Sequence, residues 1–240
     1  MKLILLRHGE SEANKNNIFT GWLDPNLTKK GISEAHEAGR HLAEMDIAID
    51  QVYTSLQIRA IKTANILLEE SQQLFVPIEK NWRLNERHYG ALQGLNKVET
   101  AIEFGSEQVG LWRRSYDVQP PVADQQTLER RYKNLDPQML PRTESLKDTL
   151  ERILPLYEDK IVTDLKHQKN VLVVSHGNTL RALVKYLEGI SDSDIDQLVI
   201  TTANLFIYDF DSDMHLVHKY VNDFGRDYIE EVASECHRSN

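Results

Sequence analysis

Four apolar residues in a row, Leu3-Ile4-Leu5-Leu6, run into Arg7-His8-Gly9, and a second run, Val171-Leu172-Val173-Val174, runs into Ser175-His176-Gly177. A short segment that is apolar at every position predicts a strand buried on both faces, as in a parallel sheet covered by helices. Asp50 to Ser55 reads as a third strand, entering a helix near Leu56. Between the strands the period changes. Leu180, Leu183, Val184 and Leu187 stand at i, i+3, i+4 and i+7 and predict an amphipathic helix directly after His176. Ala35, Ala38, Leu42 and Met45 form a second helical stripe, and Ile58, Ile61, Ala64 and Leu68 a third. A longer stripe runs through Leu146, Leu150, Ile153, Tyr157 and Ile161, with Pro155 inside it, where the missing N–H predicts a kink.

Strands alternating with helices predict an α/β fold: a mostly parallel sheet with helices on both faces. From about 90 to 141 the periodicity fades among Pro120-Pro121, Pro137, Pro141 and many charges, which reads as an inserted subdomain over the carboxyl ends of the strands. Leu205–Phe210 and Leu216–Tyr220 read as a final hairpin turning at Asp211-Ser212-Asp213, and the polar tail from Val221 to Asn240 as mobile.

Composition narrows the class. A chain of 240 residues that is 40% hydrophobic is expected to form one domain. Its formal net charge of −9 argues against a nucleic-acid or membrane-coating role, so any anion site must be a local cluster of cations. One cysteine, Cys236, allows neither an internal disulfide nor a thiolate metal pair. The first apolar run stops at Arg7, too short for a signal-peptide core, and no stretch is long enough to span a bilayer, so a soluble cytoplasmic protein is expected.

The chemistry gathers where the strands end. In an open α/β sheet ligands bind beyond the carboxyl ends, which is where this pattern puts both His8 and His176. A single strand followed by His-Gly is a weak signal; two of them, with Arg7 adjacent and Arg59 after the third strand, suggest two imidazoles and two permanent cations in one pocket. His176, Gly177 and Asn178 would also open a helix, whose free N–H groups attract anions, although asparagine there is equally a favoured cap. From the residues alone Glu86 reads more readily as a surface partner of Arg87 than as an acid/base, and Arg113-Arg114 as a solvated basic turn.

Longer motifs lift several of these readings. Leu6-Arg7-His8-Gly9-Glu10-Ser11-Glu12-Ala13-Asn14 resembles the phosphohistidine signature of the histidine phosphatase superfamily. Phe19-Thr20-Gly21-Trp22, Tyr53-Thr54-Ser55 with Arg59-Ala60, and above all Leu84 through Lys97 (LNERHYGALQGLNK) resemble its bisphosphoglycerate-dependent phosphoglycerate mutase branch. Trp112-Arg113-Arg114, Leu140 to Leu146 and Ser175-His176-Gly177-Asn178 continue the likeness, which spans about residues 2 to 200.

The resemblance implies interconversion of 3-phosphoglycerate and 2-phosphoglycerate, with His8 as the phosphorylated nucleophile and 2,3-bisphosphoglycerate as the priming donor. It implies that Glu86 is the acid/base and that Arg7, Arg59 and a protonated His176 hold the transferring group without a metal. Asn14, Thr20, Gly21, Arg87, His88, Tyr89, Lys97, Arg113, Arg114, Gly177 and Asn178 would bind the rest of a small phosphorylated three-carbon acid. Homodimers are common in this family, and the chain itself assigns no interface. A phosphatase of the same superfamily, bisphosphoglycerate synthase activity and a catalytically weak phospho-ligand-binding relative are the alternatives. One departure stands out: Thr201-Thr202-Ala203-Asn204-Leu205 occupies the place of the family's usual Pro-Thr-Gly-x-Pro, exchanging a permissive glycine for alanine.

Overall fold

The protein is described by a computed structural model that covers residues 1–125, 129–222 and 227–231, the last stretch by its backbone. Seven strands form one sheet: β1 (Lys2–Arg7), β2 (Gln51–Thr54), β3 (Ile78–Lys80), β4 (Val171–Ser175), β5 (Leu205–Phe210), β6 (Leu216–Asn222) and β7 (Asp227–Glu231), in the order β3-β2-β4-β1-β5-β6-β7. The pairs β3/β2, β2/β4 and β4/β1 are parallel. The strands β5, β6 and β7 are added antiparallel at the β1 side. The parallel part of the sheet, β3, β2, β4 and β1, is the one that the apolar runs predict, and the antiparallel β5, β6 and β7 make the whole sheet mixed rather than mostly parallel.

The two continuous apolar runs are β1 and β4, paired in register from Leu3↔Val171 to Arg7↔Ser175. Side chains alternate across a strand, so a strand with helices on both faces has no position for a polar residue. Leu3, Leu5, Val171 and Val173 join a core with α6 (Leu146–Leu156) and α8 (Gly177–Glu188). Ile4, Leu6, Leu172 and Val174 join the opposite core with α2 (Lys29–Glu44) and α3 (Ile58–Glu70). Each such buried aliphatic side chain contributes about 1.5–3 kcal/mol, which makes the centre of the sheet its firmest part. A short first helix, α1 (Glu12–Lys15), is closed by a capping box between Ser11 and Asn14.

The faded segment contains two helices that the sequence pattern does not announce, α4 (Lys97–Phe104) and α5 (Ser106–Arg114), followed by single 3-10 turns. The stripe through Pro155 is one helix, α6, that passes into a π-helical turn at Tyr157–Ile161 and then α7 (Val162–Lys166). The irregularity therefore falls just after the proline, as a widened turn within a continuing helix. The final hairpin turns over residues 211–215, two more than expected. Of the tail, Val221 and Asn222 belong to β6 and residues 227–231 form β7, in place of the expected loose end; residues 223–226 and 232–240, with Cys236, lie outside the described residues. Among the described residues no helix is long and apolar enough to cross a membrane.

Candidate active site

The parallel register that aligns Arg7 with Ser175 brings the next residues, His8 and His176, side by side beyond the carboxyl ends of β1 and β4. Their ring centroids are 5.0 Å apart, and His8 and His176 are 2% and 0% exposed. Gly9 turns the chain tightly over the start of α2: a Cβ on Gly9 would lie 2.1 Å from the Gly31 carbonyl oxygen, so no larger residue fits.

His8 Nδ1–H donates to Gly9 O at 2.7 Å, which leaves Nε2 with the lone pair. Arg59 Nε–H donates to that nitrogen at 3.3 Å. Burial first, then Arg59 and Arg7, hold the His8 pKa well below the ordinary imidazole value, so the ring is neutral and nucleophilic at neutral pH. Arg59 is itself seated by the backbone: Nη1 donates to Leu23 O at 2.9 Å and Nη2 to Gly21 O at 3.1 Å. Burial pulls its own pKa down to about 10, leaving it cationic.

His176 differs from expectation. Burial, then Arg59, His8, Arg7 and Arg152, hold its pKa well below the ordinary value, so in the free protein it is neutral, and the charge that keeps His8 unprotonated comes from arginines. Its Nε2 meets Ser55 Oγ at 2.8 Å, while its Nδ1 is buried with no hydrogen-bond partner among the described residues.

Beside these rings, through the neighbouring Arg7 and Gly177, opens a pocket of about 650 Å³, lined by Arg7, Asn14, Ile18, Thr20, Glu86, Tyr89, Lys97, Arg113, Arg114, Gly177, Asn178, Arg181, Val199 and Ile200; His8, Arg59 and His176 are buried behind this lining. Five cations and one carboxylate face it. Arg7 is tethered through Nη1 to Ile200 O, and its Nε is buried with no partner among the described residues. Glu86 Oε1 accepts the backbone N–H of Arg87 at 2.8 Å and of Asn178, in the first turn of α8, at 3.2 Å. It takes Arg87's main chain, not its guanidinium, so the surface ion pair is not formed.

Tyr89 OH accepts from Asn178 Nδ2 at 3.0 Å. Burial would raise its pKa, but Arg87 and Lys97 outweigh that and leave the phenol below its ordinary value. Lys97 opens α4, and burial lowers its pKa. Arg113 and Arg114 end α5, where their carbonyls accept from Arg87 and Arg181.

Three of the expected ligands stand behind the pocket wall. Gly21 (φ +51°) contributes its carbonyl to Arg59. Arg87 lies 4.5 Å over the Tyr89 ring. His88 packs beside Trp22, and its Nδ1 accepts the Gly90 N–H. Conversely, Arg181, Ile18, Val199 and Ile200 line the pocket without having been singled out. Arg181 follows the apolar Leu180 on α8 and ties that helix to the end of α5, and its pKa is lowered by burial to about 10; its charge amid an apolar stripe was the available signal.

The loop carrying Glu86 is held by a buried ion pair. Arg152 Nε and Nη2 donate to the two Glu144 oxygens at 2.6 and 3.0 Å, Arg152 Nη2 also reaches Asn85 O at 3.1 Å, and Glu144 Oε2 accepts the His88 N–H at 2.8 Å. Such a pair contributes little net stability against an apolar substitute, but losing one partner is costly, so it acts as a register clamp.

Residues 3–223 match the histidine phosphatase superfamily (branch 1). The 2,3-bisphosphoglycerate-dependent phosphoglycerate mutase of Lactobacillus acidophilus is 54% identical over 223 residues, 91% of this chain and 97% of its own. That of Pasteurella multocida is 53% identical over 225 residues, 92% of this chain and 99% of its own. Among solved structures, a mycobacterial glucosyl-3-phosphoglycerate phosphatase superposes with a TM-score of 0.69 at 21% identity, covering 96% of this chain and 97% of that one, a likeness of fold. Paired strand-end histidines, a neutral imidazole among arginines and a match over nearly the whole chain lead to one conclusion: the chain belongs to the histidine phosphatase superfamily.

Proposed function

We propose that the chain is a 2,3-bisphosphoglycerate-dependent phosphoglycerate mutase, interconverting 3-phosphoglycerate and 2-phosphoglycerate by way of a phosphohistidine at His8. The observation that carries this reading is a neutral His8, next to Arg7 of a pocket whose walls hold separate cation groups. Arg7 stands beside the reacting ring, and Lys97, Arg113 and Arg114 come from the inserted helices. A substrate with a phosphate and a carboxylate needs two such groups. The names borne by relatives of 52–54% identity agree.

When bound, 2,3-bisphosphoglycerate supplies the phosphoryl group that primes the enzyme. The pocket suits a doubly phosphorylated anion: five cations line it, and Arg7 Nε and His176 Nδ1 are buried polar atoms with no partner among the described residues.

His8 Nε2 attacks phosphorus in line; the N–P bond forms as the P–O bond to the leaving oxygen breaks. Glu86 gives that oxygen a proton. In the return transfer Glu86 removes a proton from the accepting hydroxyl, which attacks the phosphohistidine, and His8 is regenerated with its lone pair. Arg7 and Arg59 balance charge on the equatorial oxygens, the main catalytic demand in a loose phosphoryl transition state. Asn14, Thr20, Tyr89, Gly177 and Asn178 orient the substrate, with Arg87 and His88 acting from behind. Asn14 Oδ1 is occupied by Ser11, so its NH₂ is what it offers a ligand.

We read the chain as one domain in which the segment at about 90–141 covers the reaction, acting in the cytoplasm on small phosphorylated acids. The test is a coupled assay for 2-phosphoglycerate run with and without 2,3-bisphosphoglycerate, with free phosphate measured in parallel. Turnover that depends on the bisphosphate and is lost, with the phosphoenzyme, in His8→Ala supports the reading; phosphate release without 2-phosphoglycerate overturns it.

A further inference from the structure

Gln57 stands two residues before Arg59, immediately ahead of α3, and its side chain is 0% exposed. Gln57 stands at the N-cap position but makes no capping bond; Asp24 Oδ1 accepts the Ile58 N–H at 2.7 Å instead. Gln57 turns inward. Its Nε2 donates to Gly21 O at 2.8 Å and, more weakly, to Leu23 O at 3.4 Å, the same two carbonyls that receive the Arg59 guanidinium. Its Oε1 accepts the backbone N–H of Glu86 at 2.8 Å. Its own N–H donates to Ser55 Oγ at 3.1 Å, and that oxygen is the partner of His176 Nε2.

We infer that Gln57 is a positioning residue for phosphoryl transfer, a buried side-chain amide strut that fixes the seat of Arg59 and the backbone of Glu86 relative to His8. This rests on the mutase reading above. The amide is suited to the task because it donates at one end and accepts at the other, joining a carbonyl to an N–H with no net charge. A carboxylate would face the Gly21 and Leu23 carbonyls without a donor, and an aliphatic side chain would leave the Glu86 N–H buried and unpaired. The seat of Arg59 and the backbone of Glu86 lie on different loops, residues 21–23 and 85–88, and Gln57 bonds directly to both. Lys97, Arg113 and Arg114 have no bond to it, so the strut governs the reacting groups and not the substrate-holding cations. A buried glutamine that merely fills space would affect folding alone.

The experiment compares wild type, Gln57→Leu and Gln57→Glu. Gln57→Leu removes both ends of the strut, while Gln57→Glu keeps the acceptor for Glu86 and loses the donor to Gly21. Misplacing reacting groups by about 1 Å costs on the order of 10²-fold in rate. The expectation for Gln57→Leu is therefore a fall in kcat of roughly 10- to 100-fold with KM for 3-phosphoglycerate within about threefold of wild type. Gln57→Glu, should Gln57→Leu fail to fold, is expected to show the same split.

The His8 ring is followed in both variants by its ¹⁵N resonances. Displacement of the Nε2 resonance in a folded variant supports the strut, because Arg59 is the group that donates to that nitrogen. An unmoved Nε2 resonance, or kcat within twofold of wild type after correction for the folded fraction, overturns it. The wild type's own turnover tests the underlying mutase reading separately, since the resonance reports on Arg59 whatever that turnover is.

Discussion

Single residues in this chain are asked to do contradictory things, and magnitudes decide which demand wins. Gln168, exposed and just past α7, sits at φ +63°, where glycine is favoured; Ala203, whose N–H donates to Arg7 O at the end of β1, sits at φ +55°. Gln168→Gly should raise stability by about 1 kcal/mol by removing the left-handed penalty. Ala203→Gly should be nearly neutral, because Ala203 is buried in the core shared with α2 and α3, and losing its methyl costs about 0.8 kcal/mol, close to the strain relieved. Urea unfolding of both variants checks the pair, and a clear gain in Ala203→Gly would mean its methyl contributes little. The near-balance explains how this chain carries alanine where its family usually has glycine.

Arg113→Ala should lower kcat/KM for 3-phosphoglycerate roughly 10- to 100-fold, the effect of one charge-assisted contact, while phosphorylation of His8 by a small donor lacking a carboxylate changes little. Equal loss in both assays would remove its substrate-specific role. Residues such as His8, Arg7 and Glu86 were legible because each belongs to a run of fixed spacing. Gln57 was not: its importance lies in which carbonyls fold beside it, and no local pattern carries that. The expectation of a charged His176 failed for a related reason, since burial depth is a tertiary quantity.

Among elements, legibility followed burial. β1, β2 and β4 with α2, α3, α6 and α8 carry strong apolar periods because they contact a core on one or both faces. β3 is three residues, Ile-Glu-Lys, with no buried position, and α4 and α5 leave Val98, Ile102, Phe104 and Leu111 exposed, so none announces itself. The loop at 85–88 depends on elements distant in sequence, through Arg152 and Glu144. It also contains His88, which burial, then Arg152, pushes down to about 4.

The sign of the resulting pH dependence follows from the two states. Unfolded histidine binds a proton below about pH 6.5, whereas buried His88 in the folded chain does not until about pH 4. Acid therefore favours unfolding progressively across that window, by about 3 kcal/mol at its lower end. His8 and His176, also depressed, act in the same direction. Unfolding free energy should fall between pH 7 and pH 4, and His88→Asn, which keeps an acceptor for the Gly90 N–H, should flatten that fall. A slope identical to wild type would show that His88 titrates normally.

Across the whole molecule, charge is divided unevenly. The chain carries −9 overall, yet its pocket gathers five cations around one carboxylate. Anion recognition is thus a short-range property, strongest where the walls exclude water. If those side chains supply the charge stabilisation themselves, turnover should be unchanged in excess chelator; a loss restored by magnesium would refute this.

The pairing of β1 with β4 has one last consequence. Because His8 and His176 each follow the final rung of one parallel ladder, the gap between their rings is inherited from main-chain hydrogen bonding at the centre of the molecule. Loops around the rim can therefore lengthen, shrink or change sequence while the reactive pair keeps its spacing. Such a scaffold lets new substrates be tried at the periphery without disturbing the machinery that handles phosphorus.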